Sequence, residues 1–288
     1  MIIDLHIHSK TCSDGNYTVP EIIQEAKTRN IQLMSITDHD AIGCQKQAKS
    51  LAQKNQINYI TGVELNITFT LPQNQKPVSL DLLGYQFDFN NTALKNKLTM
   101  LAKHRQQRAQ KILENINTEF QKTGIPNLTK TDFENIQNSV DGTLGRPHIA
   151  DYLIKQGIVK DRQEAFDKYL VKCDVPKYPL FLEDASSLVH NAGGIVVLAH
   201  PSDPHGTSMA KLSGMLSEQT KIIEHYMLPY LDGIECWHSR NDPQTTNHYV
   251  TFAKKHGLVM TGGSDCHQKP VIMGTVNVPD YVAKQFIK

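Results

Sequence analysis

The sequence has no Cys-x-x-Cys pair, and its five cysteines, Cys12, Cys44, Cys173, Cys236 and Cys266, are scattered and odd in number. That argues against a disulfide framework and a structural cysteine–zinc site, and it fits reduced thiols in a cytoplasmic protein. No apolar run reaches the ~20 residues a membrane-spanning helix needs. The N-terminus also lacks a basic segment ahead of an apolar signal core, so no membrane partner is expected. A formal net charge of +1 leaves no global basic field, and stable DNA binding is not expected. A small phosphorylated ligand needs only local positive charge and stays open. Internal repeats and low-complexity tracts are missing too. At 288 residues the chain is long enough for one large α/β domain, or for one domain carrying an insertion.

What is present begins at once. In Ile3-Asp4-Leu5-His6-Ile7-His8 polar and apolar residues alternate, as on a strand whose opposite faces differ. Asp4, His6 and His8 share one face, and Asp14 follows closely. Thr18, with Pro20 and Glu21, predicts the start of a helix running through EIIQEAKTRN. IQLMSIT predicts a second strand, broken by Asp38-His39-Asp40, and AIGCQKQAKSLAQKN a second helix. INYITGVELNITFT and VSLDLLGYQF predict a third and fourth strand, separated by the turn-forming LPQNQKP.

From about residue 92 to 185 the texture is helical and more polar. One long helix is expected from Leu94 to about Lys122, and shorter ones at Arg146–Gln156 and Arg162–Leu170. The KHRQQRAQK stretch lacks interleaved aromatics and reads as a solvated helix face rather than a nucleic-acid groove. The βα rhythm then resumes with ASSLVHNAGG, IVVLAH, LDGIECW, QTTNHYVTFAKKHG and LVMTGG, ending in SDCHQKP. The pattern predicts a parallel βα barrel of about seven strands with a helical insertion.

The polar residues fall at strand ends: His6 and His8, then His39, Glu64, Asp81, His200, Glu235, Asp265 and His267. In a parallel barrel these positions converge on one rim. Imidazoles and carboxylates crowded together need a compensating cation. Their mixture suits zinc, manganese or iron. So many candidate ligands exceed one ion, and a bridging carboxylate lets two or three divalent ions share them.

DLHIHS with SDG, ITDHD, GVE, the LLGY strand, VLAHP and GGSDCH, in this order, resemble the PHP superfamily, named for polymerase and histidinol phosphatase. GRPHIA at 145–150 and the Lys177-Tyr178 region are similar to its stand-alone branch of 5′-3′ exoribonucleases and nucleoside 3′,5′-bisphosphate phosphatases. The resemblance implies a distorted (βα)7 TIM-like barrel over 1–91 and 186–288, capped by a helical insertion over 92–185. It also implies a trinuclear site. His6 and His8 would hold one ion, completed by Asp265, with Glu64 bridging to a second ion served by His200. Asp14, His39 and His267 would hold the third. Asp81 departs from the pattern, since relatives usually have His in the LLGY strand; the change puts the second ion's identity or occupancy in question.

The implied activity is hydrolysis of a phosphate ester, by a metal-activated hydroxide held over Glu64, His200 and Asp265. The substrate would be a small nucleotide or a short RNA end. Arg146 is the candidate phosphate clamp, because a guanidinium meets two phosphate oxygens at once; His148 and Lys177 are further candidates. The alternatives are a histidinol-phosphatase-like phosphomonoesterase, a metal-dependent amidohydrolase and a non-catalytic PHP binding module. The oligomeric state is not legible in the sequence.

Overall fold

The computed structural model describes residues 1–73, 76–140 and 144–287 as a mixed α/β fold. Its first sheet is parallel throughout, in the order β1 (Ile2–Asp4), β2 (Ile31–Met34), β3 (Asn58–Tyr59). Its second runs in the order β4 (Gly62–Thr70), β5 (Pro77–Tyr85), β6 (Ile195–Leu198), β7 (Gly233–His238), β8 (Val259–Gly263). Helix α1 (Val19–Thr28) starts where the sequence places it. Glu21 reaches back to accept the Thr18 N–H at 2.7 Å, closing the first turn. Helix α2 (Gln45–Lys54) starts four residues later than expected.

The expectation of an all-parallel sheet is wrong at β5. It pairs antiparallel with β4, from Gly62↔Tyr85 to Thr70↔Pro77, and antiparallel with β6. The reason is the short connection. A parallel neighbour needs a crossover of a dozen or more residues, whereas the segment between Thr70 and Pro77 only lets the chain double back. The other neighbours, β6–β7 and β7–β8, are parallel. Isolated parallel bridges, Ile7↔Cys266 and His39↔Glu64, join the tails of the first sheet to the edges of the second.

Reversing β5 changes how the chain leaves the sheet. Tyr85 lies opposite Gly62 and Ile195, the first residues of β4 and β6, so β5 ends where its neighbours begin. The insertion therefore does not rise from the rim carrying the strand C-termini. Helix α3 (Thr92–Thr123) carries the chain back instead; its 32 residues reach about 48 Å. Asn91 caps its start, accepting the Leu94 N–H at 3.0 Å. Leu94, Leu98 and Leu101 pack in the main core. Further along, Ile112, Leu113, Ile116 and Phe120 belong to a separate apolar cluster. That cluster includes Ile136 of α4 (Lys130–Asn138), Ile149 and Leu153 of α5 (Arg146–Lys155) and Ala165 of α6 (Arg162–Ala165). One helix thus ties two cores together. The remaining helices, α7 (Leu182–Asn191), α8 (Leu216–Ile222) and α9 (Pro243–His256), cover the second sheet and its loops. Among the described residues no helix is long and apolar enough to cross a membrane.

Candidate metal centre

The chain from Leu5 to His8 lies between the tails of two strands. Leu5 donates its N–H to Gly262 O at 3.1 Å, Asp265 N–H to His6 O at 2.8 Å and Thr37 N–H to Ile7 O at 2.8 Å. Both faces are therefore buried. Ile3, Leu5 and Ile7 fill the core, while His6 and His8 point into the polar centre with no solvent exposure. Two glycines permit this approach. A Cβ on Gly263 would stand 2.4 Å from His6 N, and one on Gly15 would stand 2.3 Å from His8 O. Gly15 therefore lets the Asp14 loop lie directly on the strand. Three residues of the centre hold positive φ without being glycine: Asp40 (49°), His200 (22°) and Asp265 (55°). Such conformations cost free energy and collect at functional sites.

Glu64 is the hub. Its Oε2 lies 3.4 Å from His6 Nε2, 3.2 Å from His8 Nε2 and 3.0 Å from His39 Nδ1. Its Oε1 lies 2.9 Å from His200 Nε2. Asp265 Oδ1 is 3.5 Å from His6 Nε2, 3.2 Å from His8 Nε2 and 3.4 Å from His267 Nδ1. Asp14 Oδ1 is 3.4 Å from His267 Nε2 and 4.0 Å from His39 Nε2. Donor atoms each ~2.1 Å from a shared cation stand roughly 3.0–3.5 Å apart, so these spacings suit ions between them. Buried His6 Nε2, His8 Nε2 and Glu64 Oε2 have no hydrogen-bond partner among the described residues. Burial without a partner is costly, and a cation would satisfy all three. The residues present fit a metal centre.

Asp81 lies near this group with partners of its own. Its Oδ1 accepts from Asn66 Nδ2 at 2.6 Å, Thr207 Oγ1 donates to its Oδ2, and His200 Nε2 is 3.8 Å away. Burial, reinforced by the Glu64 charge, pushes its carboxyl up to about 7.

The structure also brings in residues that the sequence reading passed over. His238 ends β7, with its Nε2 3.5 Å from Asp265 Oδ2. It has the same signal as His200, an imidazole closing an apolar strand. Glu235, already among the strand-end residues read from the sequence and three residues before His238, lies behind the His6 ring. Its Oε1 lies 3.1 Å from His6 Nδ1 and its Oε2 accepts the His200 N–H at 2.7 Å. It orients the His6 imidazole from behind, as buried carboxylates do around metal-binding histidines, and fixes the backbone of His200. The reading of KHRQQRAQK as a solvated face is also corrected. His104, Arg105 and Arg108 share the inner face of α3, and Arg108 is 6% exposed. Arg105 Nε donates to Asp40 at 3.0 Å. Arg108 pairs with Asp174, whose other oxygen takes Arg146 Nη1 at 2.7 Å. Arg105 and Arg108 are three residues apart and His104 and Arg108 four, and that helical spacing was the available signal.

Asp14, His39 and Asp81 line a cavity of about 590 Å3 together with Arg105, Arg108, Arg146, His148, Lys177 and Lys211, and with uncharged residues such as Asn66, Phe166 and Thr207. Lys177 Nζ donates to Asn66 Oδ1 at 2.8 Å, and burial brings its ammonium down to about 8 despite the nearby Asp81. His148 opens α5 with its Nδ1 accepting the Gly145 N–H at 3.0 Å, and burial depresses its pKa. Its ring is thus neutral, with the proton on Nε2.

The metal-free centre has a definite proton inventory. Burial alone would depress the His8 imidazole, but Asp265 and Glu64 outweigh it and lift it to about 10. Burial and Glu64 oppose each other likewise at His200, which rises to about 9. Burial prevails at His39 and brings it down to about 4, the neutral form that binds a metal. His6 is also held well above its usual range; burial opposes this, but Glu235, Glu64 and Asp265 prevail. A metal ligand must be neutral, so metal uptake at pH 8 should release at least two protons, from His8 and His200, with His6 adding to them, read by calorimetry in buffers of different ionisation enthalpy. The sign for stability follows from linkage. Groups with raised folded pKa values stabilise the metal-free protein fully below the ordinary histidine range. That contribution is lost as pH rises through about 9 and about 10. The melting-temperature gap between metal-loaded and chelated protein should therefore widen from pH 7 to pH 9.5; a constant gap would refute this proton inventory.

Buried imidazoles and carboxylates facing a wall of fixed cations belong to metal-dependent phosphoesterases, hydrolases in which cations offset phosphoryl charge. The family described as the PHP domain matches residues 4–172, more than half of the sequence, and the chain belongs to it. Among curated relatives, the chain is 29% identical over 275 residues to the 3′,5′-nucleoside bisphosphate phosphatase of Chromobacterium violaceum, covering 92% of this chain and 87% of that one. It is 30% identical over 274 residues to the 5′-3′ exoribonuclease of Haemophilus influenzae, covering 92% and 89%. Among solved structures, a candidate metal-dependent phosphoesterase from Bifidobacterium adolescentis superposes with a TM-score of 0.80 at 26% identity, covering 98% of this chain and 94% of that one. An amidohydrolase from Chromobacterium violaceum, with sulfate bound and no metal, superposes with a TM-score of 0.78 at 27% identity, covering 98% and 93%.

Proposed function

We propose that this chain hydrolyses phosphate esters of nucleotides, either nucleoside 3′,5′-bisphosphates or the 5′-phosphorylated end of a short RNA. The observation that carries this reading is the cavity in which Arg105, Arg108, Arg146, Lys177 and Lys211 face the imidazole–carboxylate cluster. A substrate with two phosphates can place one at the cluster and the other among the guanidinium groups. A simple monoester would leave that second set of charges unused.

In this reading the two sheets, joined by the Ile7↔Cys266 and His39↔Glu64 bridges, form a distorted (βα)7 barrel over 1–91 and 186–288. Residues 92–185 form an inserted helical domain, supported by their separate apolar cluster. Two to three divalent ions, manganese, zinc or iron, would be held by His6, His8, Asp14, His39, Glu64, His200, Asp265 and His267. His238 is an added candidate, and Asp81 can serve once deprotonated. Bound ions would lower the pKa of water toward ~7 and neutralise charge on the phosphoryl oxygens. Glu64, His200 and Asp265 orient the attacking side, and Glu235 keeps His6 and His200 in register. Arg146 and Lys177 hold the remote phosphate. His148, with its proton on Nε2, can donate to a substrate oxygen. The five buried free thiols suit a reducing compartment, the cytoplasm.

The test is a metal-defined activity screen with manganese, zinc and iron(II). It compares nucleoside 3′,5′-bisphosphates, 5′-phosphorylated oligoribonucleotides, histidinol phosphate and p-nitrophenyl phosphate. The expected result is a kcat/KM at least about tenfold higher on the first two classes, the worth of one charge-assisted phosphate contact. A preference for histidinol phosphate, or no turnover of any of the four substrates with any of the metals, would overturn the reading.

A further inference from the structure

The cavity over the metal centre is not closed at its far side. A second cavity of about 670 Å3 meets it at Ser13, Asp14 and His148, which line both. It runs between the loop of residues 10–16 and the helices α4, α5 and α6. A mononucleotide seated in the first cavity does not need it, and its volume suits a ligand of small-molecule size in its own right.

Its chemistry is that of a groove for a phosphodiester backbone. Three cations, Lys10, Lys155 and Arg162, line it with the side-chain amides of Asn16, Asn135 and Asn138, against two carboxylates, Asp14 at its mouth and Asp151. Arg162 is committed to Asp151, through two contacts of 2.6 Å. Lys10 and Lys155 are exposed, and neither forms an ion pair among the described residues. Tyr152, the aromatic residue in the wall, is buried, and its hydroxyl is bound to Asp132 at 2.5 Å. Among the described residues the groove has no exposed ring to stack on, and recognition would follow the backbone rather than the bases. The opposite end of the first cavity offers a poorer path. There Pro77, Val78, Val175, Pro176 and Pro179 dominate the surface, and its cations, Arg146 and Lys177, are those that already line the first cavity.

We infer that this second groove carries the nucleotides that follow the terminal one in a short single-stranded RNA, with Lys10 and Lys155 meeting successive phosphates. The inference rests on the phosphoesterase reading and names the substrate class that uses the whole site. A ligand of one nucleotide ends at Asp14 and His148; a longer one passes between them and α4.

The test is the double variant Lys10→Ala/Lys155→Ala, assayed on a 5′-phosphorylated RNA pentamer and on a nucleoside 3′,5′-bisphosphate with the same metal. Two exposed cations contribute modestly, so kcat/KM on the pentamer should fall about tenfold while the bisphosphate changes less than about twofold. The salt dependence should flatten as well, by a slope of about 1.4 for two single-strand contacts. Equal losses on both substrates, or none on either, overturn the groove. Pentamer affinity by fluorescence anisotropy gives a readout free of turnover. The double variant should bind about tenfold more weakly, and unchanged affinity overturns the groove whatever the activity. Wild-type turnover of the bisphosphate with no binding of the pentamer removes the groove but leaves the phosphoesterase reading standing. Pentamer binding that depends on both lysines, with no phosphoester turnover at all, does the reverse.

Discussion

Glu64→Gln should lower kcat/KM on every phosphoester by at least about a thousandfold, equivalent to some 4 kcal/mol of transition-state stabilisation. Glu64 is the side chain that touches His6, His8, His39 and His200 together, from a position 1% exposed. The carboxylate is held well below its usual range; burial opposes this, but the surrounding imidazoles, His39 and His6 foremost, prevail. It is therefore anionic at all working pH values and ready to bridge cations. Glutamine keeps the size and removes the charge, so the centre should lose metal as well as rate. The check is steady-state kinetics on chelator-treated protein with added Mn²⁺, alongside metal analysis and circular dichroism. Near-normal activity in a folded variant would refute a metal centre built around Glu64.

Arg146→Ala should separate substrates rather than lower all rates. Arg146 lines the cavity opposite the imidazole cluster, with its guanidinium 5.3 Å from the Phe166 ring and bonded to Asp174. Asp174 is also bound by the buried Arg108, so the carboxylate keeps a cationic partner when Arg146 engages a phosphate. A charge-assisted contact that persists in the transition state contributes about 1.5–3 kcal/mol. The loss on a nucleoside 3′,5′-bisphosphate should thus be roughly ten- to hundredfold in kcat/KM. On p-nitrophenyl phosphate, which has no second phosphate, the change should stay within about threefold. Equal losses on the two substrates would mean that Arg146 does not select the remote phosphate.

The chemistry of the centre was legible because ligand types and strand periodicity coincide. His6 and His8 alternate with core residues, and such alternation sends both imidazoles to one side whatever the rest of the chain does. The cap at Thr18 and Glu21 is local for the same reason: its hydrogen bonds span three residues. His238 was equally local, closing an apolar strand just as His200 does; the strand runs one residue past Trp237, the end expected from its apolar run. The direction of β5 was also available, since the turn before it is too short for a parallel crossover.

Other features had no local signal. The inner face of KHRQQRAQK depends on what α3 packs against. A basic helix surrounded by water and one laid beside Asp40 and Asp174 have the same sequence pattern. The end of the sheet from which the insertion departs follows from reversing β5, and the long α3 then restores it to the neighbourhood of Asp14. The meeting of the two cavities at Ser13, Asp14 and His148 joins residues more than a hundred positions apart. By itself the sequence determined which side chains could hold ions, because strand and cap geometry act over a few residues. Only the tertiary structure decided which cations face those side chains and where a longer substrate could run, because charge pairing and cavity shape depend on contacts between distant segments.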